Sequence, residues 1–237
     1  LQHQESLLND KFVAEQECDA VTLDGEHISL LLNAGLELNT EKANTKVCDG
    51  VGLYRTEAWF MQKGQFPSQI EQENWYREVL ASYHPEPVVM RTLDIGGDKA
   101  LDYFDITEEN PFLGWRGIRV TLDHPEIFLD QLKAMVRANI GLGNLKIMLP
   151  MISGTEEVDE SLALLEQAYF ELEEKYPEQA IERPEIGVML EVPSSVFMLP
   201  EWSKKVDFCS VGSNDLTQYL LAVDRSNARV ADLFNPY

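Results

Sequence analysis

Apolar residues fall into short unbroken runs, separated by stretches in which they recur every three or four positions. The runs are Ile28–Leu32, Val51–Tyr54, Val88–Thr92, Leu145–Leu149, Ile186–Leu190 and Asp207–Val211. Continuous runs, as opposed to alternating ones, mark strands covered by helices on one face and by a packed interior on the other. Helical spacing fills the gaps between them. Pro125 opens one helix, with Phe128, Leu132, Met135, Val136 and Ile140 on a single stripe. A second starts at Ser153, where Glu156 stands at the spacing of a capping box. Its stripe is Val158, Leu162, Leu165, Tyr169, Leu172 and Tyr176. Leu7, Leu8, Phe12 and Val13 predict a further helix, the end of a linker over residues 1–24, ahead of a domain over residues 25–237.

Strands alternating with helices predict an α/β fold with a parallel sheet, either open and doubly wound or closed as a (β/α)8 barrel. A barrel needs about 250 residues. Here six runs consume all 237, because the stretch from residue 93 to 124 is a long connection of the kind usually tied to function. A barrel built this way stops early.

Composition narrows the function. With 19 Lys+Arg against 41 Asp+Glu the formal charge is −22, which excludes nucleic-acid binding by bulk electrostatics. Residues 155–185 carry eleven acids and two bases, read as a solvated helix face in preference to a docking face for a basic partner. No apolar run approaches a membrane span and the first residues lack a signal-peptide layout, so a cytoplasmic protein is expected. Cys18, Cys48 and Cys209 form no metal or disulfide motif, and Cys209, inside the sixth run, is expected in the core. His3, His27, His84 and His124 are assigned to structure or solvent.

The chemistry concentrates just after the runs, where parallel α/β folds bind ligands. Arg55 follows the second run, Arg91 ends the third, and Arg225 lies ten residues beyond Asp215, which follows the sixth. Arginines gathered from several strands suit a ligand with phosphate and carboxylate oxygens, because a guanidinium is a planar fork of donors that keeps its charge. Lys99, Arg116 and Arg119 could join them. On so acidic a chain such a cluster calls for an anion, and a small phosphorylated acid fits; the bland alternative is that each arginine pairs with a neighbouring acid. Glu191 and Asp215 follow adjacent strands and could share a hard cation, for which Mg2+ is best suited. The Gly96-Gly97 pair reads as a turn more readily than as a phosphate cradle.

Taken together, Asp49–Glu57, Arg91–Lys99, Glu109–Arg119, Leu149–Ile152, Met189–Pro193 and Val211–Tyr219 through Asp224-Arg225 resemble the phosphoenolpyruvate-binding barrel of bacterial phosphoenolpyruvate–protein phosphotransferase, Enzyme I of the phosphotransferase system. Leu32–Leu36 and Val120–Pro125 look closer to the nitrogen-related paralogue than to the sugar-transport form. The resemblance implies a (β/α)8 barrel of TIM type, incomplete here with about six of eight strands. It implies phosphoenolpyruvate contacts at Arg55, Arg91, Asn214, Asp215 and Arg225, magnesium ligands at Glu191 and Asp215, and site lining at Lys99, Trp115 and Arg116. In that family the phosphoryl group passes to a histidine on a separate domain and then to a small histidine phosphocarrier protein, and the barrels form homodimers. That histidine and the family's catalytic cysteine have no counterpart in this span, so no catalytic residue is assigned and the chain alone is expected to be inactive. Two other readings stay open: a non-catalytic module that senses phosphoenolpyruvate or binds a partner, and a magnesium-dependent lyase acting on pyruvate or phosphoenolpyruvate.

Overall fold

The computed structural model describes residues 20–35, 48–97, 99 and 101–234. The helix expected around Leu7 to Val13 lies outside them. Six strands appear in chain order: β1 (Leu32–Ala34), β2 (Val51–Arg55), β3 (Val88–Arg91), β4 (Leu145–Leu149), β5 (Glu185–Leu190) and β6 (Phe208–Val211). All neighbouring pairs are parallel and the order across the sheet is the order along the chain. Such a sheet, curled with helices outside, is an incomplete barrel of TIM type. Among the described residues β1 and β6 do not pair, so both remain edges.

The helices are α1 (Glu57–Phe60), α2 (Gln69–Tyr83), α3 (Ile118–Asp123), α4 (Pro125–Asn139), α5 (Thr155–Lys175), α6 (Pro193–Phe197), α7 (Leu199–Trp202) and α8 (Ser213–Leu221). On α4 four of the five predicted stripe residues, Phe128, Leu132, Met135 and Val136, are buried against the sheet, while Ile140 caps the helix and is half-buried. Helix α2, whose mean hydropathy is too low to stand out in the sequence, packs on α4 and starts with a capping box between Ser68 and Glu71. The cap of α5 differs from expectation. Its carboxylate is Glu157, which accepts from the amide of Gly154 at 3.1 Å and the hydroxyl of Ser153 at 3.0 Å, because the cap is Gly154, one residue later than the Ser153 the sequence implied.

Two further expectations fail at the sheet edges. Ile28, Leu30 and Leu31 lie exposed outside β1: Leu30 is tied to Asp49, ahead of β2, and the register with β2 itself begins only at Leu32, opposite Val51. A strand begins where its neighbour begins, so an apolar run that overhangs its partner remains irregular. Cys209 is exposed, not core: β6 is an edge strand whose side chains alternate between half-buried and exposed.

The long connection from β3 to α4 is ordered by its own small core. Trp59, Phe60, Leu93, Ile95, Leu101 and Val120 pack with Phe66, Phe104 and Trp115. This satellite cluster carries the connection over the carboxyl ends of β2 and β3, where the site residues sit.

Candidate functional site

At the carboxyl end of the sheet, Arg91 closes β3 and is 4 % exposed. It pairs with Glu57, the first residue of α1, and with Asp94 at 3.0 Å. Asp94, with no exposed surface, is the hub: Lys99 pairs with it, and Arg116 Nε approaches it at 3.3 Å. Arg116 also donates to Asp215 Oδ1 at 2.8 Å, and Lys99 lies 3.2 Å from Glu57. The carboxylates that neutralise these arginines therefore come from the chain itself. Glu57 and Asp94 were the residues missing from the sequence reading.

The route of the chain explains this convergence. Gly96 (φ 101°) and Gly97 (φ 66°) turn the backbone so that Gly96 and Lys99 exchange backbone hydrogen bonds at 3.0 and 3.1 Å, which returns Lys99 to Asp94. Gly117 then donates to Ile95 at 2.9 Å, laying Arg116 alongside Asp94. A Cβ on Gly96 would stand 2.5 Å from the Trp115 carbonyl oxygen, so the approach of the two segments depends on glycine. The turn reading of Gly96-Gly97 stands, and its role is to deliver two cations.

Electrostatics follow from the packing. Burial alone would push Asp94 up, but Arg91, Lys99 and Arg116 together hold its carboxyl far below the ordinary range. Burial works against the charge on Arg116, yet Asp94 and Asp215 raise its pKa. Glu191, just past β5 and 1 % exposed, behaves oppositely. Burial, with the neighbouring charge of Asp94, pushes it up to about 7 against the opposing pull of Arg91 and the Met151 amide. Its Oε1 accepts from that amide at 2.7 Å, while Oε2 is buried without a partner.

An orphaned, buried carboxylate oxygen beside a second carboxylate is a place for a cation. Asp215 is 8 % exposed, spends Oδ1 on Arg116, and makes no hydrogen bond through Oδ2 among the described residues. Among those residues no trio of metal-ligating side chains gathers. The fit is thus to a hard cation that draws its remaining oxygens from water and substrate, as Mg2+ does. Gly212 backs the pair, since a Cβ there would lie 2.7 Å from that of Glu191.

The other expected residues are placed as follows. Arg55 is the register partner of Arg91 on β2, but it is exposed, and its guanidinium reaches over Gly35, whose Cβ would stand 3.3 Å from Nη2. Asn214 is exposed in the first turn of α8, beside Asp215. Arg225 is half-buried, its backbone amide anchored to Gln218 at 3.1 Å. Trp115 donates to Asp123 at 2.7 Å and packs against Phe104 and His124, within the satellite cluster. Arg119 is spent on the Gly114 carbonyl at 2.9 Å. His124 has thus a structural place, and neither His27 nor His84 contacts the ion-pair cluster.

Residues 10–237 match the family model described as PEP-utilising enzyme, PEP-binding domain. The chain belongs to this family. It is 56% identical over 211 residues to the "Phosphoenolpyruvate-dependent phosphotransferase system" protein of Escherichia coli (strain K12), covering 89% of this chain and 28% of that protein. It is 44% identical over 223 residues to the "Phosphoenolpyruvate-protein phosphotransferase" of Staphylococcus carnosus, covering 94% of this chain and 39% of the relative. The protein of the same name in Haemophilus influenzae is 43% identical over 222 residues, covering 93% and 38%. The PEP-binding domain therefore spans about a third of the length of the curated relatives it matches. No helix among its described residues is long and apolar enough to cross a membrane.

Proposed function

We propose that this PEP-binding domain holds phosphoenolpyruvate together with Mg2+ at the carboxyl end of the sheet. In this role it is the substrate half of a phosphotransferase that passes the phosphoryl group to a protein histidine and on to a small histidine phosphocarrier protein. One observation carries the reading: Arg91 and Arg116 are fixed through Asp94 beside Glu191, whose Oε2 has no partner. Arginines already held by carboxylates lose little freedom on binding a ligand, so more of the interaction energy remains as affinity. Arg55 and Arg225, held less tightly, would close on the anionic ends of the substrate, with Asn214 donating from the first turn of α8. Glu191 and Asp215 would hold the magnesium ion, which when bound supplies charge neutralisation for a phosphoryl group. Positioning and electrostatics are what phosphoryl transfer most needs from a protein, and both lie within these residues.

Among the described residues no histidine or cysteine faces the cluster. The 237-residue polypeptide alone should therefore bind the acid without transferring its phosphoryl group. Calorimetric titration with phosphoenolpyruvate should show binding that strengthens when Mg2+ is present, with no pyruvate released. Absence of binding in both conditions rules the reading out, and pyruvate release without an added protein acceptor favours a lyase.

The same proposal includes a homodimer and a cytoplasmic setting. In support of the first, β1 and β6 present unpaired backbone edges among the described residues, and Val211, Leu220 and Leu221 lie exposed near β6. Sedimentation at rising concentration should show a dimer, and a monomer throughout the range would remove this part. Support for the second is that, among the described residues, Cys48 and Cys209 form no disulfide.

A further inference from the structure

A chain of buried polar side chains runs from the site to the outer helices. β2 ends at Arg55 and β3 at Arg91; the Thr92 amide still donates to the Met148 carbonyl of β4 at 3.0 Å, but the pairing between β2 and β3 stops at these two arginines. Two side chains take over from it. Thr56 Oγ1 donates to the Arg91 carbonyl at 2.8 Å, and the Leu93 amide donates to Gln131 Oε1 at 2.8 Å. Gln131 Nε2 in turn donates to Thr56 Oγ1 at 3.3 Å and to the Tyr76 hydroxyl at 3.1 Å. Tyr76 donates to Gln72, whose amide reaches the Pro67 carbonyl at 2.9 Å. Thr56, Gln72, Tyr76 and Gln131 are each no more than 2 % exposed.

Gln131 belongs to α4, on the outside of the sheet, and touches none of the charged site groups. Yet its one carboxamide holds the peptide groups on both sides of Thr92, one directly and one through Thr56. Those peptide groups carry Arg91 before them and Asp94 after them, the pair on which the ion cluster turns. An amide is suited to this task because it offers an acceptor and two donors in one rigid plane. A hydrocarbon of the same size would leave the buried Leu93 amide without a partner and take one accepted bond each from the Thr56 and Tyr76 hydroxyls.

We propose that Gln131 is a positioning residue for phosphoenolpyruvate, acting through the Arg91–Asp94 backbone; this rests on the binding role proposed above. Gln131→Met removes every bond of the carboxamide at similar volume. Tyr76→Phe removes one partner from the far side and leaves both links to the strand end. Both variants should lower the unfolding midpoint. Gln131→Met should weaken phosphoenolpyruvate binding about tenfold, the low end of what loss of the groups that orient metal ligands costs, whereas Tyr76→Phe should change it less than about twofold. Equal affinities in Gln131→Met and wild type, or parallel losses in the two variants, would overturn the proposal. Should Gln131→Met not fold, Thr56→Val breaks the link to the Arg91 carbonyl alone and should show the same selective loss. Amide hydrogen exchange at Leu93 separates the two levels of the argument. Faster exchange in Gln131→Met, with no binding by wild type, removes the ligand and keeps the positioning contact; unchanged exchange removes the contact.

Discussion

Glu191→Gln should abolish the magnesium dependence of phosphoenolpyruvate binding while making the protein more stable. The first effect follows from charge. Loss of supporting groups around a metal costs about 10–100-fold in affinity, so loss of one of two carboxylate ligands should cost at least about a hundredfold. The second follows from burial. Glu191 Oε2 is buried without a partner, and desolvation beside Asp94 pushes this carboxyl up to about 7, so keeping it ionised costs folding energy at neutral pH. A carboxamide keeps the acceptor for the Met151 amide, removes the charge, and puts an N–H donor in a region rich in carboxylates. The gain should be about 1 kcal/mol or more. Calorimetry with and without Mg2+ and a denaturant melt check the two halves. A variant that is less stable, or still responds to magnesium, would show that Glu191 is simply a structural partner of Arg91.

Asp94→Asn should act in the opposite direction on stability. Asp94 is buried and faces Arg91, Lys99 and Arg116 together. Removing one member of a buried charge pair costs about 3–5 kcal/mol. Each of these cations keeps another carboxylate, Glu57 for Arg91 and Lys99 and Asp215 for Arg116, which places the loss near the lower end, about 3 kcal/mol. The pH dependence has a definite sign. The folded-state pKa of Asp94 lies below its unfolded value, so its contribution is fully present above about pH 4 and fades as pH falls through the folded value. The stability gap between wild type and Asp94→Asn should accordingly be constant from neutral pH down to roughly pH 4 and narrow below it. A gap that widened in acid would mean that Asp94 is not the ionised hub of the cluster.

Both outcomes bear on how the site works. One buried carboxylate is satisfied by three cations, while the carboxylate facing it across the sheet is left short of one. The first arrangement holds the arginines still. The second leaves a buried carboxylate oxygen free, where under the proposed function a magnesium ion would sit. Stability is concentrated in the scaffold of the site and given up at its binding group, a common division in proteins.

Much of this was legible in local pattern. Unbroken apolar runs located β2 to β6 to within a residue or so; the reason is clearest in β3 and β5, which are buried almost throughout and so leave hardly a polar position in their period. The end of a run marks the carboxyl end of a strand, and for that reason Arg91, Glu191 and Asp215 could be singled out. The sequence also fixed the helix stripe of α4, since burial on one face imposes its spacing wherever the helix sits.

Only the tertiary structure decided which charges meet. Asp94 and Arg116 are brought together by the Gly96-Gly97 turn and the Gly117–Ile95 contact, and Arg116 and Asp215 by the approach of two segments about a hundred residues apart. Glu57 is buried while its near neighbour Arg55 is exposed, a difference that depends on what packs above α1 and not on residue type. The position of β1 and the exposure of Cys209 were likewise set by which neighbours a strand has. Periodicity is a property of one segment facing one environment, whereas a buried ion pair or a supporting glutamine is a property of two segments whose encounter is governed by the path of the chain between them.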